Sequence, residues 1–247
     1  MLDYMVLATA AFAAGMLNTI AGGGTFLTFP ALVYTGVPVV TANATSAVAV
    51  FPGYLGGVAG FRKEIAALDP RLLIRVVIAT AFGGFLGSLL LLVSTNEAFS
   101  AVVPFLLLAA TLAFAFGERL QGWARRRRAS SGGLFATTLV AIYGGYFNGG
   151  LGIVLLALFS LWGMRDLNAM NGLKNALSFV LSAISVATFA AAGLVSWPQA
   201  ILMMVAATIG GYAGAPVAKA LPRQAVRAIV IVVGTVMSIV FFWRLFS

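Results

Sequence analysis

Two clusters of glycine beside asparagine are the residues of this sequence best suited to hold a ligand. The first joins Asn18 to Gly22, Gly23, Gly24 and Thr25, and the second joins Asn148 to Gly149, Gly150 and Gly152. Each interrupts an apolar run. A half-helix that starts inside a membrane has free N–H groups at its first turn and a positive dipole end, so an anion is its natural occupant. Asparagine can cap such an end or donate its amide to an oxyanion, and glycine lets backbone N–H groups come close. The competing expectation is that these residues only satisfy one another around a kink. Recurrence of the pattern raises the binding reading to at least equal standing with it.

Lys174 is the one basic residue clearly within an apolar stretch, in the run Asn171-Gly-Leu-Lys174-Asn175-Ala-Leu-Ser178. On a helix, Asn171, Lys174 and Asn175 share a face. A buried ammonium costs several kcal/mol unless it has a partner, and snorkelling to the interface is the competing expectation. The first half carries a polar patch at the corresponding place, Asn43-Ala-Thr45-Ser46, without a charge. Thr45 and Ser46 join the candidate substrate contacts, and the site is expected to be asymmetric.

What is missing narrows the chemistry. Cysteine and histidine are absent, which removes disulfides, thiol redox chemistry, His proton relays and the usual zinc and haem ligand sets. The six acids, Asp3, Glu64, Asp69, Glu97, Glu118 and Asp166, fall in loops or at segment ends, where they mark no intramembrane cation path. No cofactor, metal or catalytic residue is implied.

The elements that must position these residues are membrane segments. Of 247 residues, 62% are apolar and 9% charged, against about 25% charged in a soluble domain. Apolar segments are expected at 2–20, 25–36, 41–61, 72–93, 98–116, 134–148, 151–163, 168–192, 197–214 and 223–245. The first lacks the basic n-region of a secretory signal and reads as a membrane segment. The net charge of +9 follows the positive-inside pattern rather than signalling nucleic acid.

The chain also repeats. Gly15 and Asn18 recur 130 positions later as Gly145 and Asn148, and Gly83-Gly84-x-x-Gly87 recurs 127 positions later as Gly210-Gly211-x-x-Gly214. Basic residues around Arg62–Arg75, Arg125–Arg128 and Lys219–Arg227 place three loops in the cytoplasm. Counting crossings between them makes residues 1–36 begin and end outside and 134–163 begin and end inside. The expected fold is an all-α polytopic membrane protein of two inverted repeats, about 1–117 and 133–247, joined by a basic cytoplasmic connector at about 118–132. Each repeat holds a glycine-broken or re-entrant helix pair plus three transmembrane helices. The x-x-x-spaced glycines, including Gly53/Gly57 and Gly56/Gly60, are expected to serve close helix packing, and Pro52 to kink its helix.

Asn18-x-x-Ala21-Gly-Gly-Gly24, followed by Pro30-x-Leu32, Gly36 and Ala42-Asn43-Ala44-Thr45-Ser46, resembles the first-repeat signature of the TauE/SafE family of sulfite-exporter-like permeases. The second half is similar to that family's degenerate repeat through Gly145-x-x-Asn148-Gly and Lys174, with Gly149-Gly150-Leu151-Gly152 in place of an unbroken triplet. The resemblance implies a transporter of the bacterial inner membrane for sulfite, thiosulfate or small organosulfonates. Expected partners are a small anionic substrate, membrane lipid and a second copy of the chain. A passive anion channel, a membrane enzyme and a non-transporting membrane subunit stay open as alternatives.

The topology is testable directly because the chain has no cysteine. Single cysteines placed in the Arg125–Arg128 connector and beside Lys219 should resist an impermeant thiol reagent in intact cells and react after permeabilisation. Labelling of both from outside would refute the charge-based orientation.

Overall fold

In the computed structural model, residues 1–20, 23–127, 133–220 and 223–246 are described, without the side chains of 123–127, 213–220 and 223–227 among others. Gly22, Arg128 and the side chains of Arg125 and Lys219 therefore lie outside the described residues. Eleven helices and no strand occur among those described. They are α1 (Leu2–Ile20), α2 (Thr25–Tyr34), α3 (Val39–Gly60), α4 (Arg62–Ala66), α5 (Pro70–Leu92), α6 (Asn96–Arg127), α7 (Leu134–Tyr146), α8 (Leu151–Leu161), α9 (Leu167–Ala191), α10 (Trp197–Ala220) and α11 (Arg223–Phe246). The expected apolar segments correspond one by one to these helices, apart from the short α4. The expected basic connector is helical as far as Arg127, as the continuation of α6.

Local chemistry sets the helix ends. Asp69 caps α5 by accepting from the Arg71 N–H, with Pro70 at the first helical position, and Asp166 caps α9 by accepting from the Asn168 and Ala169 N–H groups. Gly36, Gly163 and Gly193 have φ of 86, 82 and 70° and close α2, α8 and α9. After each, the next residue's N–H reaches back to the carbonyl five positions earlier, as Val37 does to Leu32. Gly36 and Gly163 stand 127 positions apart, as do the starts of α5 and α10 and of α6 and α11.

The surface is apolar where a water-soluble protein would be charged. Ile74, Ile78 and Phe82 on α5, Ile201, Val205 and Ile209 on α10, and Val232, Val236 and Val240 on α11 are exposed at one-turn spacing. Thr28, Ser46, Thr80, Asn148 and Ser182 are buried instead. Among the described residues, α5, α9 and the Asn96–Ala113 part of α6 are long and apolar enough to cross a membrane.

Helix pairing follows the glycines. The most extensive packing joins α1 to α10 and α5 to α7, with α6 on α11 and α3 on α9. Exchanging the two halves turns the α1–α10 pair into α7–α5. A Cβ at Gly15 would overlap the Ala207 carbonyl oxygen, at Gly210 that of Phe12, at Gly87 that of Ile142, and at Gly145 that of Gly84. These glycines let backbones touch, as expected for Gly87 and Gly210; Gly15 and Gly145 do the same without having been singled out for packing. Gly56 and Gly60 meet nothing within 4 Å, so their spacing reflects no packing partner among the described residues. α3 continues through Pro52 as a single helix.

Gly145→Val should therefore cost at least about 1–3 kcal/mol, because the clash falls on backbone that cannot rotate away. Gly56→Ala should hold or raise stability by about 0.5–1 kcal/mol through the helical preference of alanine alone. Thermal unfolding of the purified variants in detergent measures both.

Candidate functional site at the two helix breaks

The first break closes on itself. Asn18 lies in the last turn of α1, and its Oδ1 accepts from the Gly24 N–H at 2.8 Å. The N–H groups of Phe26, Leu27 and Thr28 bond to the carbonyls of Gly23 and Gly24. Asn18 thus does for α2 what an N-cap does, from six residues away. Gly24 is required for contact rather than for φ. Its φ is −59°, but a Cβ there would lie 2.6 Å from Asn18 Nδ2. Thr25 is buried at the start of α2.

The second break is built differently. Asn148 and Gly150 are left-handed, with φ of 62 and 71°, and the Tyr143 hydroxyl donates to the Gly149 carbonyl. Asn148 lies beyond the end of α7, whereas Asn18 lies inside α1, so the two asparagines that align in sequence do not occupy equivalent places. Counted back from the starts of α2 and α8, Gly24 matches Gly150 and Asn148 matches Gly22. Asn148 is 7% exposed, and its Oδ1 has no hydrogen-bond partner. No hydrogen bond is recorded for the Gly152 N–H, which belongs to the first turn of α8, where backbone donors have no intrahelical acceptor.

Lys174 meets this second break. A Cβ at Gly152 would lie 3.3 Å from Lys174 Cδ, so the lysine stem packs on the first turn of α8. Its Nζ donates to Asn171 Oδ1 at 3.1 Å, and Asn171 Nδ2 donates to the Leu167 carbonyl. No carboxylate is paired with it among the described residues. Asn175 turns to α3, where its amide fills the space over Gly57; a Cβ there would lie 2.6 Å from Asn175 Cγ. Gly53, one turn earlier on α3, faces Asn18 Nδ2, and the Tyr54 hydroxyl lies beside the Asn148 amide.

The Gly53–Gly57 turn of α3 therefore gathers Asn18, Asn148 and Asn175, with Lys174, Asn171 and Gly152 alongside. Thr45 and Ser46 lie farther along α3 and are engaged elsewhere. Thr45 Oγ1 accepts from the Ser196 N–H at 3.0 Å, and Ser46 Oγ pairs with Thr28 Oγ1 at 2.6 Å. Gly23 and Gly24 are buried in the closed first break. Two contributors escaped the sequence reading, Tyr54 and the use of Gly57 as a seat for a side chain. The signal for Gly57 was the spacing Asn43, Ser46, Val50, Gly53, Gly57, one helical stripe; Tyr54 lies off that stripe and carried no such signal.

An aromatic cluster joins the two breaks. Phe29 of α2 meets Phe147 of the second break edge-on at 5.7 Å, Phe99 of α6 at 6.4 Å, and stacks on Phe241 of α11 at 5.7 Å. Phe29, Phe99 and Phe147 are buried. Such pairs contribute about 0.5–1.5 kcal/mol each beyond area burial.

Asn18→Ala should destabilise the protein by about 1–2 kcal/mol, since the Gly24 N–H then loses its partner in a buried setting. Gly24→Ala should cost a similar amount by displacing the same amide. Thermal unfolding of each variant, read against wild type, checks the shared cause.

The sequence matches the family described as "Sulfite exporter TauE/SafE" over residues 7–241. A "Probable membrane transporter protein" of Haemophilus influenzae is 29% identical over 236 residues, covering 94% of this chain and 92% of the relative. "Probable membrane transporter protein ORF9" of a Sinorhizobium species is 27% identical, covering 94% and 90%. "Probable membrane transporter protein YfcA" of Escherichia coli K12 is 28% identical, covering 94% and 87%. No solved structure matches. With lipid-suited apolar stripes outside, polar helix breaks inside and a family match that spans nearly the whole chain, this protein is an integral membrane transporter belonging to the TauE/SafE sulfite exporter family.

Proposed function

We propose that the protein carries a small oxyanion, sulfite or a related sulfur oxyanion or organosulfonate, across the bacterial inner membrane. One observation carries this reading. The Lys174 stem packs on the first turn of α8, where the Gly152 N–H is unsatisfied, and the ammonium's recorded partner is the neutral Asn171. An uncompensated cation beside free helix N-terminal donors favours a negative ligand twice over, by charge and by dipole. Neutral amides of Asn148, Asn171 and Asn175 add hydrogen bonds without selecting a charge. The family's description supports a sulfur oxyanion.

Transport by alternating access fits the arrangement of the halves. Residues 1–117 and 133–247 contribute the pairs α1–α10 and α7–α5 reciprocally, and rocking of one set against the other would expose the breaks to either side in turn. The second break, where Lys174 packs beside the Gly152 N–H, is the substrate side of the site on this reading. The first, closed by Asn18, acts as its structural counterpart.

Lys174→Met should weaken anion binding roughly 10- to 150-fold while the protein stays folded, the equivalent of losing one hydrogen bond to a charged group, about 1.5–3 kcal/mol. Met keeps most of the stem that packs on Gly152, so lost packing is a small part of the effect. Lys174→Arg should not restore affinity, because the planar guanidinium is larger and spreads its donors differently. Direct binding of sulfite, thiosulfate and methanesulfonate to purified protein at fixed ionic strength measures this. Unchanged affinity for all of them would remove Lys174 from the site.

A further inference from the structure

α9 carries more polar residues than the site uses. Asn171, Asn175, Ser178, Ser182 and Ser185 follow one another at alternating spacings of four and three, so they form one stripe along the helix. Leu173, Leu177 and Leu181 occupy another face and pack into the core with Val76 of α5 and Leu155 of α8. The polar stripe runs beside α3. Asn175 sits over Gly57, and Phe179 stacks on Phe51 at 5.3 Å. Higher numbers on α9 thus meet lower numbers on α3, and Ser185 falls level with the Ser46 region. At that end the Ser196 N–H bonds to Thr45 Oγ1.

Most helical hydroxyls of this protein are tied to their own backbone, and Ser182, Ser185 and Thr80 of α5 are not. Thr111, Ser160, Thr188, Thr208 and Ser238 each donate to the carbonyl four residues earlier in their own helix. Ser182 and Ser185 make no such bond. They are 0 and 2% exposed, and their Oγ atoms have no hydrogen-bond partner. Asn148, beside Tyr54 of α3, adds a third unpartnered buried oxygen from a separate element. A buried hydroxyl without a partner costs about 1–3 kcal/mol. The local backbone bond that would remove this cost is left unused, so these hydroxyls are set for something other than the helix itself.

We propose that the α9 hydroxyl stripe Ser178–Ser182–Ser185 is the outer half of the substrate path, carrying a small oxyanion between Lys174 and the Ser196 end of α3. The inference rests on the transport reading and extends it to a route. Serine O–H groups donate to an oxyanion and replace part of its hydration without holding it by charge. A path must bind weakly enough to release, and neutral donors beyond a single ammonium meet that need. In this structure Thr45 and Ser196 are joined across its far end. Separation of α3 from α9 would wet it.

Cysteine is close in size to serine, and the chain contains none, so the folded full-length protein can be probed in liposomes one position at a time. The probe is the small anionic thiol reagent 2-sulfonatoethyl methanethiosulfonate, added on both sides with sulfite left out because it cleaves the reagent. Ser182→Cys and Ser185→Cys should be labelled, and Leu181→Cys, on the α5 face, should not. Labelling does not depend on which anion is transported, so it stays readable even if the sulfur-oxyanion reading fails. If both serine positions are as inert as position 181, the seam is a dry interface and the path is refuted. In a second measurement, Ser182→Ala/Ser185→Ala should lower the transport rate severalfold while binding at the Lys174 end stays at the wild-type level. A wild-type rate would equally overturn the proposal.

Discussion

A backbone that leaves helical geometry inside hydrocarbon has no water to complete its hydrogen bonds, and every group it frees must be satisfied by protein. That constraint organises this molecule. The two glycine breaks are tolerable only because something surrounds them. Around the first, Asn18 folds back to the Gly24 N–H and supplies the missing acceptor. Around both, Phe29, Phe99 and Phe147 exclude lipid. The close glycine contacts of α1 with α10 and α5 with α7 bring full-length helices near enough to wall the breaks in. The apolar stripes on α5, α10 and α11 then face outward because the polar groups have been gathered inside.

The same constraint explains why the two breaks diverge. Each break leaves one first-turn N–H without a backbone acceptor, that of Thr25 in α2 and that of Gly152 in α8, so the difference lies in the side chains around them. The first has a dedicated side-chain acceptor. At the second, Lys174 packs beside the Gly152 N–H, and the Asn148 oxygen, an acceptor, has no partner. Lys174 has no counterpart charge in the first half, where Ser46 occupies the corresponding turn when α3 and α9 are aligned by their starts.

Much of the fold was legible without coordinates. Helix positions followed from apolar run lengths and from the glycine clusters that interrupt them, because these are local effects of composition and backbone geometry. The match of Gly36 to Gly163 and of α5 to α10 was readable as a fixed spacing, since a duplicated chain keeps its register between insertions. The backbone-contact glycines Gly83, Gly87 and Gly210 were recognisable from their four-residue spacing. Their partners were not, because the spacing is a property of one helix and the contact a property of two. The same limit misled the reading of Gly57, whose spacing matched a packing motif while its space is filled by the Asn175 amide.

The sequence by itself determined that this is an apolar, helical chain with recurring glycine motifs, two backbone breaks and one lysine in a polar patch. It also listed the groups able to meet an anion. Only the tertiary structure decided which of them are free to do so. Asn18, Thr45 and Ser46 were equal in promise to Asn148 and Lys174 as residue types, yet Gly24 and Ser196 take the acceptor oxygens of Asn18 and Thr45, Thr28 pairs with Ser46, and Lys174 packs against Gly152. The physical reason is that a hydrogen-bonding group advertises its capacity in the sequence, whereas its satisfaction depends on a neighbour from a distant segment. That neighbour arrives through packing alone, as Ser196 reaches Thr45 from 151 positions away.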